Sequence, residues 1–112
     1  MRTRPTRFYS NNQEKAVAKQ IGGKKLSNSG ATTFVKGDVV TNDFLIECKT
    51  TTCTTRSSFS IKKEWLEKNK QEALAMRKCY NALCFDYGDG QRYYIIDERL
   101  FKELLNYVEK TG

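Results

Sequence analysis

The residues able to do chemistry sit in one short stretch, GDVVTNDFLIECKTT, between positions 37 and 51. Its apolar run Phe44-Leu45-Ile46 ends in Glu47-Cys48-Lys49. A carboxylate and an ammonium at the end of a buried strand cost free energy unless they are used. Glu47 and Lys49 are two apart, so on a strand both side chains leave by the same face. Asp38 lies upstream, far enough for one strand to run out, turn, and a second to return beside it. Two carboxylate oxygens, with a backbone carbonyl such as that of Cys48, suit Mg²⁺, for which Mn²⁺ could substitute; Mg²⁺ keeps waters and binds substrate phosphate as well. Such an ion acidifies a bound water into a nucleophile and stabilises charge developing on a phosphate. Lys49 would orient that water or offset the charge. Glu14 would complete a second metal site or hold a water ligand. The plain alternative is a surface ion pair between Glu47 and Lys49, worth ~1 kcal/mol or less.

Several elements must bring these groups together. Residues 1–10, with three arginines and the only proline, read as a flexible basic arm, and 11–112 as a single domain. Ser10 or Asn11 would cap a helix over 12–20, with Ala16, Val17 and Ile21 apolar and Gly22-Gly23 ending it. Glu14 then falls in its first turn, where a carboxylate is favourably placed. A loop over 24–32 leads to strands at 33–40 and 44–50, an antiparallel pair joined around Thr41-Asn42-Asp43. Residues 60–80 carry the strongest helix pattern, with Ser60 as cap and Ile61, Trp65, Leu66, Ala73 and Met76 as a patchy apolar side. Strands follow at 81–87 and 91–97, separated by the turn Gly88-Asp89-Gly90. A last helix over 98–110 has Leu100, Phe101, Leu104, Leu105 and Val108 on one stripe. The order α-β-β-α-β-β-α is an α/β fold, a mixed central sheet flanked by helices.

The chain of 112 residues has 20 Lys and Arg against 13 Asp and Glu, a net +7. That excess favours a polyanionic partner, nucleic acid before an anionic membrane. No apolar run approaches the ~20 residues of a membrane span, and no secretory leader is visible, so the expectation is a cytoplasmic protein without a membrane partner. Histidine is absent, which excludes histidine bases and His-containing triads. The cysteines at 48, 53, 79 and 84 leave a metal knuckle formally open, but Cys48 points away from Glu47 and Lys49 and Cys84 lies in an apolar run. Free buried thiols are the expectation.

Asp38 with Glu47-Cys48-Lys49 resembles the PD-(D/E)xK nuclease signature. The ordered succession narrows the likeness: Asn12-Gln13-Glu14-Lys15, then Gly22-Gly23, Ser29-Gly30-Ala31, Lys36-Gly37-Asp38-Val39, the 44–50 strand, and a Gln/Lys-rich helix. Over about residues 10–97 it is similar to Holliday-junction resolvases of the archaeal type and their phage-encoded relatives. The resemblance implies a restriction-endonuclease-like core in which Asp38 and Glu47 bind metal, Lys49 is the catalytic lysine and Glu14 the helix-borne acid. It also implies that Ser29 lies near the scissile phosphate and that a residue of the following helix approaches the site. Lys68, Lys70 and Gln71 are the candidates there, Gln71 the best placed by analogy and Lys68 read as solvated. Gly37 replaces the family's proline, a change of backbone and not of chemistry. The 98–112 tail lies outside the likeness; its stripe covers either the core, which is expected, or a partner subunit.

On this reading Arg2, Arg4, Arg7, Lys24, Lys25 and Lys36 make salt-sensitive phosphate contacts. Tyr9, Phe34 and Phe59 are candidates to stack on unpaired bases, with core or rim as the commoner role of such rings. The implied substrate is DNA, a four-way or other branched duplex recognised by shape and charge. Its two-fold symmetry suggests a homodimer. The alternatives are an endonuclease acting on nicked, flapped or linear DNA, and a non-catalytic basic nucleic-acid-binding module.

Overall fold

A computed structural model describes residues 6–25, 38–49 and 57–111. The elements are α1 (Thr6–Ile21), β1 (Lys24–Lys25), β2 (Asp38–Val40), β3 (Phe44–Lys49), α2 (Lys63–Ala75), β4 (Tyr80–Asp86), β5 (Arg92–Ile95) and α3 (Glu98–Thr111). The five strands form one sheet in sequential order. β1, β2 and β3 are antiparallel neighbours, β4 runs parallel to β3, and β5 is antiparallel to β4. The parallel step is the one that requires a crossover, and α2 supplies it. The fold is thus α/β with a mixed sheet, as the pattern of apolar residues predicts.

The hairpin at the centre forms for local reasons. Thr41 N–H donates to the Phe44 carbonyl and Phe44 N–H to Thr41 Oγ1, each at 3.0 Å, so the turn satisfies its own backbone. Lys78 Nζ donates to the Thr41 carbonyl at 2.7 Å and Tyr80 N–H to the Asp43 carbonyl at 2.8 Å, tying the start of β4 to this turn. On one face of the sheet Val17 of α1 packs with Val39, Ile46, Cys48, Ala82 and Cys84. By strand alternation Leu45 and Leu83, both fully buried, face the other way, toward α2. Burying each such side chain contributes about 1.5–3 kcal/mol.

Gly22-Gly23 ends α1 as the sequence predicts. Gly22 takes a left-handed φ of 70°, and Gly23 N–H bonds the Ala18 carbonyl at 3.0 Å in the pattern that closes many helices. A Cβ on Gly23 would stand 2.8 Å from Val39 Cγ1, so the turn lies directly against β2.

Other boundaries differ from the sequence expectation. The first helix begins at Thr6, so residues 6–10 of the expected arm belong to it and Glu14 lies in its middle rather than its first turn. Lys24–Lys25, read as loop, pairs with β2 as a two-residue edge strand. The second helix has Lys62, not Ser60, at its N-cap, with no side-chain cap bond. Residues 33–37 and 50, expected to extend the hairpin, lie outside the described residues. Ile21, expected to be apolar lining, is exposed.

The last helix departs most from expectation. Asp97 caps it, Oδ1 accepting from Leu100 N–H at 2.8 Å. Leu100 alone of the stripe is buried; Phe101, Leu104, Leu105 and Val108 are 56, 47, 44 and 59% exposed. The expectation that this stripe covers the core is therefore corrected. The helix docks through its Leu100 side, with Glu103 accepting from Tyr80 Oη at 2.6 Å and Arg99 donating to the Cys79 carbonyl at 3.0 Å. Those anchors turn the rest of the stripe away from the sheet. Among the described residues no helix is long and apolar enough to cross a membrane.

Candidate metal centre

The pairing of β2 with β3 sets Asp38 directly opposite Glu47. Directly opposed residues share a face, so both carboxylates point to the α2 side, away from the Val17 cluster. α2 meets that face with Asn69, Glu72 and Ala73 as its buried residues. A helix that turns an asparagine and a glutamate inward, while Leu74 is 65% exposed, packs as chemistry rather than apolar economy would place it. Asn69 Oδ1 accepts from Asn81 Nδ2 at 2.8 Å, which fixes the helix against β4.

The result is a group of carboxylates from three elements. Asp38, Glu47 and Glu72 each offer an oxygen, and these oxygens all lie within 4.8 Å of one another. All three residues are buried. An octahedral Mg²⁺ at about 2.1 Å from each ligand spaces its oxygens roughly 3.0 to 4.2 Å apart, so small side-chain movements would suffice to share an ion. Asp38 Oδ1 is buried with no hydrogen-bond partner, a cost of ~1–3 kcal/mol that a ligand would remove. The donor set is wholly oxygen, the kind a hard divalent cation takes. The residues present fit such an ion.

The electrostatics agree. Burial pushes the Asp38 carboxyl up to about 8, and the nearby charges of Glu47, Glu72 and Glu14 push the same way against the opposing pull of Lys49. Burial, then Glu47, also raises the Glu72 carboxyl, while Lys68 and Lys49 oppose the rise. Asp38 and Glu72 are both pushed toward their protonated forms by burial and by the carboxylates beside them, a pressure that a bound cation would relieve. Lys49 Nζ already stands 3.0 Å from Glu47 Oε2, and its ammonium lies 4.4 Å from the centre of the Trp65 ring.

Glu72 was not among the residues the sequence singled out. Gln71, favoured by analogy, lies on the exposed side of α2; the next position is the one turned inward. Lys70 is exposed as well, and Lys68 is solvated with its Nζ 3.8 Å from Glu72 Oε1. Only an acidic residue three positions after the buried Asn69, on one helical face, signals Glu72 in the sequence. Glu14 is buried and close enough to raise Asp38, but it is not a member of the carboxylate group. Its neighbour Gln13 reaches the C-terminal end of β3, the end that carries Glu47, where Nε2 donates to the Lys49 carbonyl at 2.8 Å and to Asp86 Oδ2 at 3.2 Å.

Cys48 sits in the core on the opposite face from Glu47, as the alternation predicts, and Cys84 is buried beside it. Cys48, Cys79 and Cys84 are free thiols, Cys79 being exposed rather than buried. Of the expected DNA contacts, Lys24 is exposed on β1. Ser29, Lys36, Arg2, Arg4, Phe34 and Cys53 lie outside the described residues, as do the side chains of Arg7, Tyr9 and Lys25. Compared with protein-family models, with curated proteins and with solved structures, the chain returned no match.

Proposed function

We propose that this chain is a Mg²⁺-dependent, structure-selective DNA endonuclease of the PD-(D/E)xK kind, hydrolysing phosphodiester bonds in four-way junctions or related branched intermediates. The observation that carries the reading is the convergence of Asp38, Glu47 and Glu72 on one buried point, with Lys49 at its edge. The central hairpin, followed by a crossover helix and a parallel strand, is compatible with a restriction-endonuclease-like core.

In this reading Asp38, Glu47 and Glu72 hold the ion, with the Cys48 carbonyl as a further candidate ligand. The bound ion would lower the pKa of a water and polarise the scissile phosphate. Glu47 fixes Lys49 by their ion pair, so the ammonium is presented at the mouth of the acidic group without a search over rotamers. Lys49 then donates to the attacking water or to a phosphate oxygen, offsetting the charge that develops as the fifth oxygen approaches. The buried position of Asp38 keeps bulk water from its carboxylate. The net +7 draws the DNA in and makes binding weaken steeply with salt. A four-way junction is cut on two strands, so a two-fold homodimer is part of the proposal, and the exposed stripe of α3 offers apolar surface for such a contact.

The test is incubation with a synthetic four-way junction and Mg²⁺, beside Asp38→Asn and Lys49→Ala. Paired symmetric nicks lost in both variants would support the assignment; cutting that survives in both would refute it. Rates on nicked, flapped and linear DNA identify the substrate form. Binding that ignores EDTA, with no cleavage under any divalent ion, would mark a basic binding module instead.

A further inference from the structure

The face of the sheet that carries Glu47 and Lys49 continues across β4 and β5 as aromatic surface. Lys49 is level with Phe85, and Phe85 with Tyr93. Phe85 and Tyr93 stack with ring centres 5.7 Å apart, and Tyr87 meets both edge-on at 5.7 and 5.9 Å. On the other side Phe59 lies 5.2 Å from Phe85 and 6.4 Å from Trp65. Trp65 in turn lies under the ammonium of Lys49 at 4.4 Å, with that of Lys62 at 5.7 Å. Five rings therefore run from the rim of the acidic group to the edge of the sheet. None of them belongs to the buried core, and Tyr93, on the edge strand, is 46% exposed.

Phe59, Trp65, Phe85 and Tyr87 are half-buried, so the set packs as one shelf that comes to the surface at Tyr93, where a flat partner can meet it. The shelf has cations at the end nearest the carboxylates, so its charge suits an anion-bearing partner with flat, polarisable groups. Lys49 is shared: it pairs with Glu47 and caps Trp65. A phosphate held at Lys49 therefore has its neighbouring sugar and base beside the rings. Bases inside a duplex are already stacked, so only an unpaired or splayed base can use them.

We propose that the Phe59, Trp65, Phe85, Tyr87 and Tyr93 shelf stacks an unpaired base of the strand whose phosphate lies at Lys49, and so selects branched over fully paired DNA. This rests on the nuclease reading and names what that site prefers to bind. Tyr93 is the outermost ring and the one that base contact buries most.

The experiment measures binding in EDTA, so that no cleavage intervenes, using a fluorescent duplex and the same duplex carrying a short unpaired bulge. The wild type is compared with Tyr93→Leu, which keeps apolar bulk, and Tyr93→Phe, which keeps the ring; matching thermal melts establish that both fold. The wild type and Tyr93→Phe should prefer the bulged DNA by about tenfold, in line with stacking on an aromatic side chain. Tyr93→Leu should lose that preference and bind the plain duplex unchanged. A 2-aminopurine in the bulge should dim on binding to the wild type and to Tyr93→Phe, and less on binding to Tyr93→Leu. Salt-sensitive duplex binding with equal preference and equal dimming in all three proteins would overturn the shelf and leave the nuclease reading standing. Absence of salt-sensitive binding to either DNA would overturn both.

Discussion

Asp38 can be discharged either by protons or by substitution, and the two should be equivalent if its carboxyl is as strained as the structure indicates. In the fold it titrates near pH 8, against 3.8 for a free side chain, chiefly because it is buried. Between about pH 4 and pH 8 the folded chain therefore holds a proton that the unfolded chain has released. Stability falls as pH rises through that window; the penalty is absent below it and complete above it. At 1.36 kcal/mol per pH unit the penalty at pH 8 is on the order of 5 kcal/mol, an upper figure because neighbouring carboxyls share the proton. Glu72, shifted in the same direction, adds to the slope. Urea denaturation in EDTA at steps from pH 4.5 to 8.5 measures it, with Asp38→Asn in parallel. The difference between the two proteins is the quantity of interest, since groups distant from Asp38 titrate alike in both and cancel. Asp38→Asn should be near the wild type at pH 4.5 and more stable by a few kcal/mol at pH 8. Mg²⁺ at ten times its dissociation constant should restore about 1.4 kcal/mol to the wild type at pH 8 and nothing to the variant. Parallel pH profiles for the two proteins would refute the reasoning, and equal gains from Mg²⁺ would remove Asp38 from the site.

Three further outcomes are expected. Glu72→Gln should reduce the Mg²⁺-induced rise in melting temperature while Gln71→Ala leaves it unchanged, because only the former joins the carboxylate group. Leu100→Ala should cost about 2–5 kcal/mol in urea denaturation, whereas Leu104→Lys should shift monomer stability by about 0.5 kcal/mol or less; in sedimentation Leu104→Lys reports whether the exposed stripe holds two copies together. Gly23→Ala should destabilise by roughly 1–3 kcal/mol, since its Cβ would meet Val39 Cγ1 at 2.8 Å and the Val40 carbonyl at 2.9 Å.

Much of this architecture is legible in the sequence because it is local. Alternation along 44–49, a self-satisfied turn at Thr41, and the paired glycines after α1 depend on near neighbours, and each gives the element expected of it. The facing of Asp38 and Glu47 follows from the same short hairpin, since only one register lets the intervening turn close. Cys48 going to the core and Glu47 to the other face needs no more than the two-residue period of a strand.

The choice between Gln71 and Glu72 was not local. Adjacent residues on a helix diverge by about 100°, and which one looks inward depends on how α2 lies across the sheet, fixed by contacts such as Asn69 with Asn81. The stripe on α3 declares in sequence that some face is apolar. Which surface it meets was decided by Leu100, Arg99 and Glu103 anchoring the helix from one side. Short-range periodicity thus determines what each segment becomes, while the depth of the acidic group, its third carboxylate and the outward turn of the last helix arise only when segments distant in the chain pack together.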